Sequence, residues 1–274
     1  MWRFQSYQEP GPFLAELAEG LRRARLFAEG GDWKALPERP AIKVDGGEVT
    51  SLPAPGDAVP AGLVRHGDDL VVAQGPVLYR LDPATGEVRG KAALKLTPQD
   101  LTSDGEHLYA VTAGWTSGEG IVELDPATGG VVRTLPNPDR EGGRTGTARG
   151  LAWRDGRLYV GEIYGQVHVV DPGTGKVLAT HASNKRWVFG LAWDGAHFLT
   201  VSRERFYLLD PETFAVVREV PVNRNLRAGT WTGGRYLLME QPVPGFGPEH
   251  EPIQVFPRPG KTPIWSVELA PARR

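Results

Sequence analysis

Four segments of the chain repeat one pattern at nearly constant spacing, and this constrains the fold more than anything else in the sequence. They read LYRLDPATGEVRGKAAL from Leu78, IVELDPATGGVVRTLPN from Ile121, VHVVDPGTGKVLATHAS from Val167 and FYLLDPETFAVVREVPV from Phe206. Their aspartates, Asp82, Asp125, Asp171 and Asp210, stand 43, 46 and 39 residues apart, a period typical of stacked or ring-forming repeats. Each segment runs from an alternating apolar stretch through Asp-Pro-x-Thr, followed by glycine in the first three segments and by Phe214 in the fourth, into a second such stretch. Proline presets φ, aspartate bonds the backbone ahead of it, and glycine takes the positive φ that closes the loop. These aspartates therefore read as turn formers.

A second hairpin precedes each of the first kind. Asp104-Gly105, Asp155-Gly156 and Asp194-Gly195 each sit between apolar runs, and AGLVRHGDDLVVAQ and RAGTWTGGRYLLME carry related glycine turns. Asp-Gly between alternating hydrophobics signals a hairpin. Two hairpins per period make a four-stranded unit that buries its faces only against its neighbours, so the expected fold is an all-β propeller. At the N-terminal side AIKVDGGEVTSL resembles a third and fourth strand with Asp45 at the turn, and PIQVFPRPGKTPIWSVEL reads as a final hairpin. Counting both gives about six blades in one domain over 1–274, with 1–30 as an N-terminal segment or a degenerate first blade. The alternative is five blades plus an N-terminal helical extension, because Phe13, Leu14, Leu17 and Leu21 share a helical face.

Charge narrows the partners. The net charge is −2, so no global basic field draws nucleic acid or an anionic membrane surface, and no apolar window is long enough to span a bilayer. No signal-peptide pattern opens the sequence. Cysteine is absent, which excludes disulfides and thiolate chemistry, and cytoplasmic residence is the simplest expectation. The excess of arginine over lysine and the scarcity of asparagine suit a thermophile or a GC-rich genome.

If the first strand of each blade is innermost, the short Asp-Gly and Asp-Pro-x-Thr-Gly turns share one face. The irregular loops then surround the other mouth of the central channel, where function usually resides. Loops 136–149, 183–187 and 222–227 bring Arg140, Arg144, Arg149, Lys185, Arg186, Arg224 and Arg227 against only Asp139 and Glu141. With Trp115, Tyr164, Trp187, Asn184 and Asn225 they compose a candidate site for a small anion. A protein or peptide partner on the same face is the other expectation, and solvated loop charge is the competing reading. Trp153, Trp193 and Trp231 recur in register and read as packing. No P-loop, zinc-ligand spacing, metal-ligand set or catalytic triad is visible, so neither a cofactor nor an oligomeric state is specified.

The Asp-Pro-x-Thr-Gly blades over 61–222 resemble the YVTN/PQQ-like propeller superfamily, which implies fold and little about function. VFGLAWDGAHFLTVSRERFYLLDPETFAVVREVPVN (188–223) is similar to a stretch of the glutaminyl cyclotransferase propellers, which place carboxylates before their inner strands. At the corresponding places this chain has Arg149, Trp187 and Arg227 or Thr230. That resemblance implies an enzymatic alternative, a cyclotransferase-like or other hydrolase or lyase activity, with Glu162 as acid/base and Arg149 and Arg227 holding a carboxylate.

Overall fold

The repeated turns close as their residues require. The computed structural model describes residues 43–44, 47–56, 58–112, 120–138, 148–183, 188–240, 245–246, 252–253 and 263–269. In it Oδ1 of Asp82 accepts the amides of Ala84 and Thr85 at 2.8 and 2.9 Å. Asp125, Asp171 and Asp210 accept the matching pairs. Amide donors from Thr85 and Ala84 hold the Asp82 carboxyl below its ordinary range. Gly86, Gly129 and Gly175 sit at φ of +73°, +69° and +73°. The fourth turn has Phe214 there, at φ +56°, with its ring fully buried and stacked on Phe198 at 5.2 Å. This turn accepts backbone strain and gains core in return. Phe214→Gly is expected to lower stability by about 2–4 kcal/mol, because the lost ring outweighs the relieved strain. Denaturant unfolding checks this, and a stabilised variant would refute it.

The strands follow the alternation. β1 is Gly47–Leu52. β2 to β5 are Pro60–His66, Asp69–Gln74, Val77–Leu81 and Val88–Ala93. β6 to β9 are Pro98–Ser103, Leu108–Thr112, Ile121–Leu124 and Val131–Leu135. β10 to β13 are Ala148–Arg154, Arg157–Glu162, Gln166–Val170 and Val177–Ala182. Each group of four is one antiparallel sheet in chain order. β14 (Phe189–Trp193), β15 (Phe198–Leu209), β16 (Val216–Thr232), β17 (Arg235–Glu240) and β20 (Ile264–Leu269) join β1 in one six-stranded sheet, while β18 (Gly245–Phe246) and β19 (Pro252–Ile253) form a small ribbon. In that sheet β15 and β16 each serve two strand positions. The start of β15 pairs with β14 (Ala192↔Leu199) and its end with β16 (Phe206↔Val220), and the end of β16 pairs with β17 (Thr230↔Leu237). The sheet is therefore two blades, and the described fold is a propeller of five four-stranded blades.

The inner strands β2, β6, β10, β14 and the second half of β16 touch in cyclic order, with β16 returning to β2. One hydrophobic cluster fills each of the five gaps between blades. Leu101 packs with Ala73, Leu151 with Val111, Phe198 with Val167, Leu238 with Val201, and Leu63 with Met239. Trp153 stacks on Tyr109 of the preceding blade at 5.8 Å. The guanidinium of Arg154 lies 4.5 Å over Trp193 of the next blade and bonds Glu212 at 3.0 Å, so these tryptophans serve packing.

Of the two blade counts the sequence leaves open, six is corrected and five is the number the described fold has. Among the described residues the N-terminal stretch supplies not a third and fourth strand but the outer strand of the last blade. β1 pairs antiparallel with β20 from Gly47↔Leu269 to Leu52↔Ile264, and β20 pairs in turn with β17. The two irregular end segments thus belong to one blade, closed where β1 pairs with β20. The chain divides into Met1–Ala41 and Ile42–Arg274; the first unit, including the expected helix, lies outside the described residues.

Candidate ligand site at the channel mouth

Each inner strand opens with a β-bulge on the loop face. The register slips between Pro60 and Gly62, Pro98 and Asp100, Ala148 and Gly150, Phe189 and Leu191, and Leu226 and Ala228. The extra residues are Ala61, Gln99, Arg149 and Arg227; in β14 the slip falls one place later, at Gly190, so that Phe189 holds the place matching Arg149. A bulge re-aims the residue it inserts, and here it places Arg149 and Arg227 beside Gln99 at the mouth. Arg227 is 9% exposed, donates from Nη2 to Oε1 of Gln99 at 2.5 Å, and lies 5.6 Å from the Phe189 ring. Among the described residues no carboxylate is within ion-pairing distance of it. Burial lowers its pKa, and the charge of Arg149 lowers it further. Arg149 is half-buried, donates from Nη1 to the Ala148 carbonyl at 2.8 Å, and is likewise lowered by burial.

One step below, the inner strands carry Gly62, Asp100, Gly150, Gly190 and Ala228. Four of the five are small because the strands nearly touch: a Cβ on Gly62 would meet the Leu101 nitrogen at 2.6 Å, and one on Gly150 would meet Leu191 Cβ at 2.9 Å. The fifth is Asp100. Its Oδ2 accepts the amides of Leu151 at 2.7 Å and Leu191 at 2.8 Å, so one carboxyl ties together the inner strands of three blades. It is 1% exposed, and Oδ1 has no partner among the described residues. Burial pushes its pKa up to about 8 against the pull of those amides, of Leu101's amide and of Arg227.

Glu162 ends β11 opposite Ala148. It is fully buried, with Oε1 2.7 Å from Nε2 of His168, whose Nδ1 is 2.8 Å from Thr180 Oγ1. The last blade repeats this device: Glu240, at the matching end of β17, accepts from the indole N–H of Trp265 at 2.8 Å. His168 faces Val160 and Trp265 faces Leu238 at the same register. The repeat marks a carboxylate-to-ring bond across two strands as part of the blade architecture. Tyr164 sits in the tight turn after β11 and is 55% exposed.

Of the residues expected at the site, Arg149 and Arg227 converge and Tyr164 stands on a neighbouring turn. Trp115, Asn184, Arg186, Trp187 and the Asn225 side chain lie outside the described residues. Asp100, Gln99 and Phe189 were missed. The available signal was register: Asp100 stands where the other four inner strands carry glycine or alanine. Among the described residues no group of three or more His, Asp or Glu is placed to hold a metal ion, and no helix is long and apolar enough to cross a membrane.

A family model described as outer membrane protein assembly factor BamB matches residues 33–216. Among solved structures, glutaminyl cyclase of Myxococcus xanthus superposes with a TM-score of 0.62 at 16% identity, over 81% of this chain and 95% of that one. The nidogen/laminin complex contains a chain that superposes at 0.50 and 15% identity, over 71% and 86%. BamB from Moraxella catarrhalis does so at 0.42 and 10%, over 86% and 100%. At these identities the structural likeness establishes the fold alone. No curated protein matches the sequence.

Proposed function

The chain belongs to the BamB-type PQQ propeller family, and on that footing we propose that it is a binding propeller which takes a small anion at the loop-face mouth of its channel. The observation that carries this reading is Arg227, a buried guanidinium beside a second arginine, with no carboxylate paired to it among the described residues. A desolvated cation of this kind gains most from a ligand that brings both negative charge and hydrogen-bond acceptors. Arg149 supplies further positive charge, Gln99 orients Arg227, and Phe189 gives it an apolar floor.

Arg227→Ala is expected to weaken binding of sulfate or acetate roughly 10- to 100-fold, the worth of about 1.5–3 kcal/mol for a charge-assisted hydrogen bond. Isothermal titration of the folded variant reads the change. Unaltered affinity would place the anion elsewhere. Glu162, bonded to His168 and shut from solvent, is assigned to architecture in this reading and takes no catalytic step. The family's description as an assembly factor favours a second reading, a protein segment docked on the same face. In that case Arg227→Ala would abolish capture of an acidic peptide while leaving sulfate binding unchanged.

A further inference from the structure

Asp100 differs from every other buried carboxylate described above. Glu162 and Glu240 each accept from, or share a proton with, a ring nitrogen of their own blade, and Oε2 of Glu162, like Oδ1 of Asp100, has no partner among the described residues. Asp100 alone of the three lies on the propeller axis, with Oδ2 bonded to the amides of two other blades and Arg227 as the charge acting on it. It also lies directly beneath the arginines at the mouth. This inference rests on the proposed anion site. We propose that the channel mouth takes up a small oxyanion together with one proton, the anion meeting Arg227 and Arg149 and the proton going to Oδ1 of Asp100.

The electrostatics follow from placement. With Asp100 ionised, its charge competes with an incoming anion for Arg227, the charge that acts on it. With Asp100 protonated, that competition ends and the mouth keeps its full positive potential. Oδ2 continues to accept the Leu151 and Leu191 amides in either state, so the proton belongs on Oδ1 and the three-blade tie survives. Burial already favours the neutral acid, with a pKa of about 8 in the unliganded protein, and a bound anion raises it further. The protonated form therefore binds the anion more tightly, and affinity falls as pH rises through 8.

At the level of Asp100 and the level above it, the inner strands carry few titratable or charged groups. β6 brings Gln99, β10 brings Arg149 and Gly150, β14 brings Phe189 and Gly190, β16 brings Arg227 and Ala228, and β2 brings Ala61 and Gly62. No histidine stands among them. Arginine stays protonated across the relevant range, so Asp100 is the group in this set that can supply the pH dependence.

The test uses sulfate and acetate, whose own charges are constant between pH 6 and 10. Calorimetric titration of the whole protein with each anion should show constant affinity below about pH 7 and a loss of about tenfold per pH unit above 8. At pH 9, repeating the titration in buffers of different ionisation heat should give an uptake of between a half and one proton per anion. Asp100→Asn should show a flat pH profile, its affinity changing by less than about threefold between pH 6 and pH 9. Clear binding with no proton uptake, or a steep profile retained in Asp100→Asn, would overturn this inference and leave the anion site standing. Absence of binding by either anion at pH 6 would overturn both. Should Asp100→Asn fail to fold, the proton count on the wild-type protein decides alone.

Discussion

Gly62→Ala is expected to destabilise the protein by more than about 3 kcal/mol although it adds one methyl group. A Cβ there would meet the Leu101 nitrogen at 2.6 Å and the carbonyl carbon and Cα of Asp100 at 2.9 Å. These are backbone atoms of the adjacent inner strand and cannot rotate away as a side chain could. The strands β2 and β6 must separate on the axis, where close packing leaves no slack. The same displacement moves Asp100 away from the amides of Leu151 and Leu191, so three blades lose their common tie. Chemical denaturation reads the change, and a loss below about 1 kcal/mol would show that the axis is softer than its packing implies. A secondary consequence is weaker anion binding at the mouth, since Asp100 and Gln99 belong to the strand that moves.

Removing the chain through Leu52 is expected to have the other large effect. β1 is the outer strand of the blade otherwise built from β16, β17 and β20, and its six residues pair with β20 along their length. Val49 packs against the core between the fourth and fifth blades, Leu52 against the core between the fifth and first, and Val44 bridges to Val222. Without β1, β20 becomes an exposed edge whose Ile264, Trp265 and Val267 are now buried. Loss of roughly 4–6 kcal/mol is expected from the apolar burial and ladder bonds removed. At about 2–4 °C per kcal/mol for a domain of this size, that lowers the Tm by roughly 10–20 °C. Supplying the 43–52 peptide in trans should recover part of the shift. An unchanged Tm would mean that the ring does not depend on this strand.

Most of the architecture was legible because it is written in short-range chemistry. Asp-Pro-x-Thr-Gly and Asp-Gly turns bond their own backbones, and the alternating runs between them declare which face is buried, so Asp82, Asp125, Asp171 and Asp210 were readable as turn formers without any tertiary information. The exception in the fourth turn, Phe214 in place of glycine, was visible as a departure, but its stacking on Phe198 was not. The blade count stays open between five and six where the repeat is incomplete. Gly47–Leu52 and Ile264–Leu269 are more than 200 residues apart in the sequence, and nothing local says that they pair.

The candidate site divides in the same way. Arg149 and Arg227 were found because basic residues accumulate in loops that the strand order sends to one face. Asp100 does not stand out in the sequence because its neighbourhood, Pro-Gln-Asp-Leu, carries no motif. Its meaning lies in being the one acidic residue in a ring of glycines and alanine contributed by five separate strands. Glu162 drew attention as a lone carboxylate near the mouth, and its bond to His168 became evident only when β11 and β12 were laid side by side in register. The sequence by itself determined the blade, the handful of turn geometries and the face on which the loops emerge, because those depend on residues within a few positions of one another. Only the tertiary structure decided how many blades close the ring, which strand seals it and which carboxyl sits on the axis, because those depend on contacts between residues that the chain brings together solely by completing the circle.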